Sequence, residues 1–325
     1  ILFYKALIIV FLYLESNFKN QYFTMYKKAQ GFFLVIIIFC SCQTSGENSN
    51  QNNNAKQDSI ISAMEIKVSE EALVDIVDNI ASPVEMAALM NRLDVPFSKA
   101  YLASTSSVNA LNTNFQMAYK LGIFGADLGY LNMYEKTSTA IEYISAIKTL
   151  ADELNVGQFF DYNTLKRLAT NNQNLDSLMF LSVRSYNEMD SYLRETQRSY
   201  LSSLMITGLW IEGLYLATQV ASEYHHPDIS ERIGEQKIIL NDLLNVLNLY
   251  KKDPRFNELI QDFETLNVIF NKINITYEIG EPETIEKDGR LIIVQNEKSI
   301  VEISDEQLNS IMERTEKIRN KLIGL

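Results

Sequence analysis

The sequence has little cysteine, and the position of its two cysteines limits the chemistry open to the rest of the chain. Cys40 and Cys42 both lie within the first 42 residues, and no cysteine follows them. If Cys42 carries a lipid, the remaining chain has no free thiol. It can then form no disulfide, no thiolate nucleophile and no cysteine-ligated zinc site. The fold must therefore be held together by its core alone.

Basic residues are also scarce relative to acidic ones. The chain has 29 lysines and arginines against 41 aspartates and glutamates. Four of the basic residues and one of the acidic residues lie within residues 1–42, so 25 and 40 remain beyond them, a net charge of −15. Nucleic acids and anionic lipid surfaces are bound through clustered cations. The composition therefore argues against a nucleic-acid-binding protein.

The chain has only two histidines, His225 and His226, and they are adjacent. Zinc sites on helices use ligands three or four positions apart, so that both side chains share a face. The following Pro227, Asp228 and Glu231 indicate instead the start of a helix, with Asp228 as N-cap and Glu231 as its capping-box partner. No glycine-rich phosphate loop, G-x-S-x-G elbow or H-E-x-x-H is present. We therefore predict no metal site, no cofactor and no identifiable catalytic residue.

The most informative stretch is residues 25–42, MYKKAQGFFLVIIIFCSC. Two lysines precede nine apolar residues at 32–40, and Ser41 comes directly before Cys42. A basic start, a short apolar middle and a small residue at the cleavage point are typical of a secretory signal. The pattern resembles a bacterial lipoprotein signal, in which residues 25–41 are removed and Cys42 is acylated.

A membrane-spanning anchor is the alternative interpretation of this region. A helix needs about 20 apolar residues to cross a bilayer, whereas this run has nine. A second apolar run covers residues 6–14, and the sequence begins with Ile1 rather than methionine. We expect residues 1–24 to be a fragmentary or over-extended start, with Met25 as the initiator. Two short membrane passes are the alternative to that expectation.

Residues 42–57, CQTSGENSNQNNNAKQ, are almost entirely small or polar. Such a segment cannot bury enough apolar surface to offset the entropy lost on ordering, so we predict a disordered tether between membrane and domain. Surface-exported lipoproteins of Bacteroidota tend to carry an acidic run after the lipidated cysteine, and this tether has only Glu47. That comparison favours an outer-membrane lipoprotein on the periplasmic face.

From about residue 58, apolar residues recur at helical spacing. We predict a mostly α fold, a multi-helix bundle in a single domain at residues 58–325. Residues 97–226 contain no proline and no alternation typical of a strand. The predicted helices cover residues 60–81, 83–93, 106–136, 137–154, 161–171, 174–196, 198–224, 228–250 and 255–273.

The last 50 residues have a different pattern. We predict a small C-terminal antiparallel β meander over about residues 275–303, because three β-favouring runs alternate with turn sequences. The runs are residues 275–279, 291–295 and 299–303. Ser304 and Gln307 then have the spacing of a capping box, which predicts a final helix that ends near Ile323.

Two segments differ from an ordinary amphipathic helix, LGIFGADLGY at residues 121–130 and TGLWIEGLY at residues 207–215. The second lies in a run whose only charged residue between 201 and 220 is Glu212, as in a helix buried on all sides. Glycine inside a helix costs about 1 kcal/mol relative to alanine. We therefore predict that the two helices pack against each other at the centre of the bundle, with close backbone contact at their glycines. These are Gly122, Gly125, Gly129, Gly208 and Gly213.

Each segment carries one acid in an apolar setting, Asp127 and Glu212. A buried acid must be hydrogen-bonded or protonated, because an isolated buried charge is very costly. One interpretation is a paired-carboxylate site for hydrolysis or metal binding. The favoured one is a pair of structural acids, because structural networks perturb acids as active sites do. The candidate donors to them are Tyr130, Tyr134, Tyr215 and Arg198. We expect Trp210 to be a core residue, and the candidate central cluster is Asp127, Tyr130, Trp210, Glu212 and Tyr215.

The segments GIFGADLGY and GLWIEGLY, behind a lipoprotein signal, resemble a group of uncharacterised Bacteroidota envelope lipoproteins. The resemblance covers most of residues 60–325 and implies an envelope lipoprotein with a helical domain, without a particular activity. Two classes of function remain. The favoured one is a lipid-anchored, non-enzymatic scaffold or accessory subunit that binds an envelope protein partner. The alternative is a hydrolase or small-ligand binder that uses Asp127 and Glu212 in a central cavity.

Overall fold

The computed structural model describes residues 89–90, 92–106, 108–169, 175–280, 283–287, 290–294 and 297–324. All of them belong to one compact unit that covers residues 57–325. The predicted signal, Cys42, the tether and the predicted helix at 60–81 lie outside the described residues, as does most of the predicted helix at 83–93.

Eight helices account for most of the described chain, which confirms the mostly α fold. Each matches a predicted helix to within about three residues at either end, apart from the first, which begins at Asn114 rather than near Ser106. The helices are α1 (Asn114–Met133), α2 (Thr137–Glu153), α3 (Tyr162–Ala169), α4 (Leu175–Glu195), α5 (Ser199–Glu223), α6 (Pro227–Asn248), α7 (Pro254–Phe270) and α8 (Asp305–Ile323).

Three of these helices end in a residue with left-handed backbone geometry that is not glycine. Glu135, Asn155 and Gln197 follow α1, α2 and α4 with φ values of 56°, 56° and 58°. In each case the next amide donates to the carbonyl five positions back, at 2.6–2.8 Å. This motif satisfies carbonyl groups at the helix end and reverses the chain within a few residues. It brings α2 back against α1, and α5 back against α4.

The starts of α6 and α8 are capped by side chains. At α8 the predicted capping box is confirmed: Ser304 Oγ accepts from the Gln307 amide at 3.2 Å, and Gln307 Oε1 accepts from the Ser304 amide at 2.8 Å. At α6 the prediction was wrong, because the N-cap is His226, whose Nδ1 accepts from the Asp228 amide at 3.2 Å. Pro227 occupies the first helical position, where its missing N–H is not needed. Asp228 therefore lies inside the first turn.

Four strands follow α7: β1 (Asn274–Ile279), β2 (Glu283–Lys287), β3 (Arg290–Val294) and β4 (Glu297–Glu302). They confirm the antiparallel strands before the final helix, but the order of pairing is nested rather than that of a meander. The outer strands β1 and β4 pair with each other, and β2 pairs with β3. Lys287 is opposite Arg290, which leaves only Asp288-Gly289 between the inner strands, a dipeptide that favours a two-residue hairpin connection. The predicted turn residues 281–282 and 288–289 themselves lie outside the described residues.

Helices α1 and α5 form the most extensive helix–helix contact of the described chain, which confirms the predicted central pair. Their backbones touch at two glycines. A Cβ atom on Gly122 would overlap the Met205 carbonyl oxygen and lie 2.7 Å from the Leu209 amide nitrogen. A Cβ atom on Gly208 would overlap the carbonyl oxygen of Tyr119 and lie 2.8 Å from its carbonyl carbon. No side chain fits at either position without moving a backbone.

The same prediction was wrong for the other three glycines. A Cβ atom on Gly125 would make ordinary contact with Leu209 Cδ1 at 3.6 Å, and one on Gly129 or Gly213 would have no neighbour within 4 Å. The backbones of α1 and α5 therefore touch at Gly122 and Gly208, whereas Gly125 leaves room for a methyl group against Leu209 and Gly129 and Gly213 meet no neighbour. A run of glycines thus marks the crossing without showing which of its members touch.

Helix α5 is buried on nearly all sides. Within the described residues it is the one helix long and apolar enough to cross a membrane, and 83% of its most apolar window is buried inside the protein. Helices α1, α4, α6 and α8 each pack against it. Strand β4 extends the packing to the sheet, because Val301 lies over Gly234 of α6 and Ser299 Oγ donates to Glu235 Oε1 at 2.6 Å. The two helices that carry the candidate acids therefore lie at the centre of the fold.

Candidate functional site

The fold brings Asp127 of α1 and Glu212 of α5 together in its interior. Both side chains are fully buried, with no exposed surface. Both oxygens of Glu212 accept hydrogen bonds from one guanidinium, that of Arg319 on α8: Nε to Oε2 and Nη2 to Oε1, each at 2.9 Å. A two-pronged pair of this kind is the strongest arrangement open to arginine and a carboxylate. Arg319 is itself 3% exposed.

Arg319 also contacts two further parts of the chain. Its Nη2 donates to the carbonyl oxygen of Tyr101 at 3.0 Å. Its guanidinium carbon lies 4.3 Å from the centre of the Tyr215 ring, a cation–π contact. One side chain therefore links the final helix to α5 and to the segment that precedes α1.

Asp127 binds the same segment from the other side. Its Oδ2 accepts from the amide of Ala103 at 3.1 Å, and the carbonyl of Ala103 accepts from the hydroxyl of Tyr143 on α2. Its Oδ1 is buried and accepts from no N–H or hydroxyl group among the described residues. Burial, and second the neighbouring charge of Glu212, raise the pKa of Asp127 well above its ordinary value.

The pKa of Glu212 is governed by opposing effects. Burial raises it, whereas the hydrogen bonds and charge of Arg319 and a hydrogen bond from Asp127 lower it. The two carboxyl groups thus lie in the same buried site, where each alters the pKa of the other. The site is one cluster, with both acids, Arg319, and the backbone of residues 101–103 in direct contact.

A fourth charged side chain, Lys120 of α1, lies near the cluster and is 2% exposed. Its Nζ donates to the carbonyl oxygen of Ile323, near the C-terminal end of α8, at 3.4 Å. Burial and the positive charge of Arg319 lower the pKa of Lys120 to about 8, against the opposing charges of Glu212 and Asp127. Lys120 and Arg319 thus hold the final turns of α8 against the two central helices.

Most of the side chains predicted to donate to the acids form hydrogen bonds with other groups. Tyr130 accepts from the Ser98 amide at 3.0 Å, Tyr134 donates to Met90 Sδ at 3.6 Å, and Arg198 donates to the Leu154 carbonyl at 3.0 Å. Only Tyr215 belongs to the cluster, and it contacts Arg319 rather than an acid. The donors that sequence reasoning missed are Arg319 and the Ala103 amide. The position of Arg319 is a sequence signal that could have indicated its burial, because it lies one turn after Thr315 on the buried face of the last helix.

Trp210 lies in the core, 1% exposed. Its Nε1 donates to Gln236 Oε1 at 3.0 Å, and its ring centre lies 5.8 Å from that of Phe263. The ring therefore packs α5 against α6 and α7. Neither of these helices supplies a hydrogen-bond donor to Asp127 or Glu212 among the described contacts. Tyr130, the remaining member of the predicted cluster, lies about one helical turn beyond Asp127 on α1 and packs beside Phe97 and Tyr134.

Neither acid of the cluster has any exposed surface. Two concave surfaces of the described residues lie elsewhere, between α7, α8 and the start of α1. There the ammonium group of Lys321 forms salt bridges with Glu258 at 2.6 Å and with Asp262 at 2.5 Å. The described part of the chain contains no group of three or more histidines, cysteines or acids placed to hold a metal ion. The geometry of the buried cluster is that of groups that hold chain segments together.

Comparisons with known proteins add nothing to this geometry, because no protein-family model, curated protein or solved structure matches the chain. The two segments that resemble envelope lipoproteins, residues 122–130 and 208–215, are those that build the α1–α5 crossing and its buried acids. That resemblance is carried by packing residues, and membership of the lipoprotein group stays a prediction.

Proposed function

We propose that this protein is a lipid-anchored cell-envelope protein, attached to the outer membrane through Cys42 and facing the periplasm. Its helical domain acts as a non-enzymatic scaffold or accessory subunit for an envelope protein partner. The support for the anchor is the sequence of residues 25–42, followed by a polar segment whose composition predicts a flexible tether.

The observation that carries the non-enzymatic part is the way in which the two candidate acids are used. Glu212 is held at both oxygens by Arg319, and Asp127 accepts from the Ala103 amide. Two-carboxylate hydrolases place their carboxyl groups about 5–10 Å apart, as glycosidases do, or let them share a proton, as aspartic proteases do, and in both cases substrate and water must reach them. In this protein neither carboxyl group has any exposed surface. Use of the acids on a substrate would require residues 101–103 or α8 to leave the cluster.

The lipid anchor makes a prediction about the two cysteines. Cys42→Ala is expected to abolish incorporation of labelled palmitate and to leave the protein unprocessed or released from membranes. Cys40→Ala is the matched control, because Cys40 lies inside the segment that is removed, and its loss is expected to leave labelling unchanged. Labelling that survives Cys42→Ala, or that depends on Cys40, would contradict the anchor. Mass spectrometry of the mature N-terminus locates the lipid directly.

The scaffold role predicts a stable partner. In-cell crosslinking of the tagged full chain, followed by mass spectrometry, is expected to recover one envelope protein in near-stoichiometric yield. The same partner should be lost with Cys42→Ala, because the domain no longer reaches the membrane where the assembly forms, and should be retained with Cys40→Ala. Recovery of self-links alone, or of many proteins in trace amounts, would overturn the scaffold role.

A further inference from the structure

The buried cluster contains more acid than its arginine can neutralise. Asp127 and Glu212 are both fully buried and bind the same segment, Asp127 at the Ala103 amide and Glu212 through Arg319 at the Tyr101 carbonyl. Arg319 donates from Nε and Nη2 to the two oxygens of Glu212. Asp127 Oδ1 is the one oxygen of the two carboxyl groups that accepts from no N–H or hydroxyl group of the described residues. An ionised Asp127 would therefore have a single backbone donor and would face a second carboxylate in a fully buried site.

A proton on Asp127 Oδ1 removes both the repulsion between two carboxylates and the need of Oδ1 for a hydrogen-bond donor. Two carboxylates in contact cannot both stay ionised in a buried site, and such pairs share one proton. A protonated Oδ1 becomes a hydrogen-bond donor, and each oxygen of Glu212 has a second lone pair free to accept from it. The cluster then carries one negative charge on Glu212 and one positive charge on Arg319, with Asp127 neutral.

We infer that Asp127 holds a proton on Oδ1 and donates it to Glu212, so that Asp127, Glu212 and Arg319 form a one-proton latch. The latch holds residues 101–103 and helix α8 against the α1–α5 crossing. Asp127 binds the Ala103 amide, Arg319 binds the Tyr101 carbonyl, and the shared proton joins the two halves. This inference concerns how the fold is closed and does not depend on the lipid anchor.

The electrostatics of the site agree with that placement of the proton. Burial and then the charge of Glu212 raise the pKa of Asp127, whereas Arg319 and Lys120 oppose the rise in the pKa of Glu212. The other titratable groups that interact with the charges of the two acids are Lys120 and Tyr130 on α1, Tyr143 on α2 and Tyr215 on α5. The pKa of Lys120 is lowered to about 8 and those of the tyrosines are raised, so between pH 5 and pH 7 the tyrosines stay neutral and Lys120 keeps most of its charge.

The latch makes folding depend on pH in a defined direction. In the unfolded chain Asp127 ionises near its ordinary pKa of about 3.9, whereas the native protein keeps the proton. As pH rises above about 5, the native state binds one more proton than the unfolded state, and its stability falls. In the variant Asp127→Asn the side-chain amide cannot ionise and donates the same hydrogen bond, so the variant lacks this fall.

The test is urea unfolding of the full chain in mild detergent at pH 5, 6 and 7, followed through the fluorescence of Trp210, the only tryptophan. The folding equilibrium constant of Asp127→Asn is expected to rise relative to wild type by up to about tenfold per pH unit. Asp152→Asn is the control, because Asp152 is an exposed acid paired with Lys148, and it should follow the wild type. Parallel pH dependence of wild type and Asp127→Asn would overturn the inference.

Two further measurements keep the inference testable if Asp127→Asn does not fold. Infrared difference spectra of the wild type at pH 7 are expected to show the carbonyl stretch of a protonated carboxylic acid, and its absence would overturn the inference. Hydrogen exchange of Asp127→Ala should increase at the Ala103 amide and in the last turns of α8, and not in α3. Unchanged exchange in both segments would contradict the holding role of the cluster.

Discussion

Gly208→Ala is expected to lower the free energy of unfolding by at least about 3 kcal/mol, the upper range for an added methyl group in a packed core. The new Cβ atom would overlap the carbonyl oxygen of Tyr119, which belongs to the backbone of α1 and cannot rotate away. Relief would require α1 and α5 to separate at the crossing where Asp127 and Glu212 meet. The substitution is therefore expected to loosen the buried cluster as well as the helix pair.

Gly213→Ala is the matched control on the same helix. A Cβ atom there would have no neighbour within 4 Å, so alanine should stabilise the protein by up to about 1 kcal/mol through its higher helix propensity. Urea unfolding followed by Trp210 fluorescence measures both variants. Equal effects of the two substitutions would show that the backbones of α1 and α5 do not touch at Gly208.

Glu212→Gln is expected to destabilise the protein by about 3–5 kcal/mol, the cost of leaving one member of a buried ion pair without its partner. Arg319 would keep its charge while only 3% exposed, and its remaining contacts would be the Tyr101 carbonyl, the Asn320 side chain and the Tyr215 ring. Arg319→Met is expected to be comparably damaging, because Glu212 would then face Asp127 without the guanidinium that holds both of its oxygens. Thermal or urea unfolding of the full chain gives both values.

An exposed ion pair on α4 supplies the control for these variants. Arg184 donates to Glu188 at 2.8 Å, and the two side chains are 63% and 48% exposed. Exposed pairs one helical turn apart contribute about 0.3–0.5 kcal/mol, so Arg184→Met should change stability little. A loss at Arg319→Met no larger than that at Arg184→Met would mean that the buried pair does not hold the fold.

The helices and the central pair could be predicted from sequence because their signals are local. Apolar residues at helical spacing determine where helices run, and glycines inside an uncharged run indicate where two helices touch. Both signals led to α1 and α5, and two of the five glycines predicted at their crossing, Gly122 and Gly208, touch the facing backbone. The burial of both Asp127 and Glu212 followed from the same patterns, since each is the one acid in an apolar segment.

The partner of Glu212 could not be predicted in the same way, because Arg319 lies 107 positions away along the chain. Pairing across that distance depends on how α8 packs against α5, and no local pattern records it. The fold turns three of the four predicted donors toward Ser98, Met90 and Leu154 instead. The position of Arg319 on the buried face of the last helix indicates a buried charge, but it does not indicate which acid the charge pairs with.

The nested strands escaped prediction for a related reason. The sequence predicts three β-favouring runs that pair in chain order, whereas Glu283–Lys287, a charged segment with weak β-propensity, forms the partner of Arg290–Val294. Backbone hydrogen bonding to an aliphatic strand outweighs the poor propensity of its partner. The first run, β1, then pairs with the last, β4, which lies on α6.

The account rests on the claim that the buried acids hold chain segments together, and a double-mutant cycle tests that claim most directly. Unfolding free energies are compared for wild type, Glu212→Gln, Arg319→Met and the double variant in the full chain. The double variant is expected to lose at least about 2 kcal/mol less than the sum of the single variants, because each single change leaves the other group unpaired. Additive losses, within about 0.5 kcal/mol, would show that the two groups do not stabilise each other, and would contradict the account.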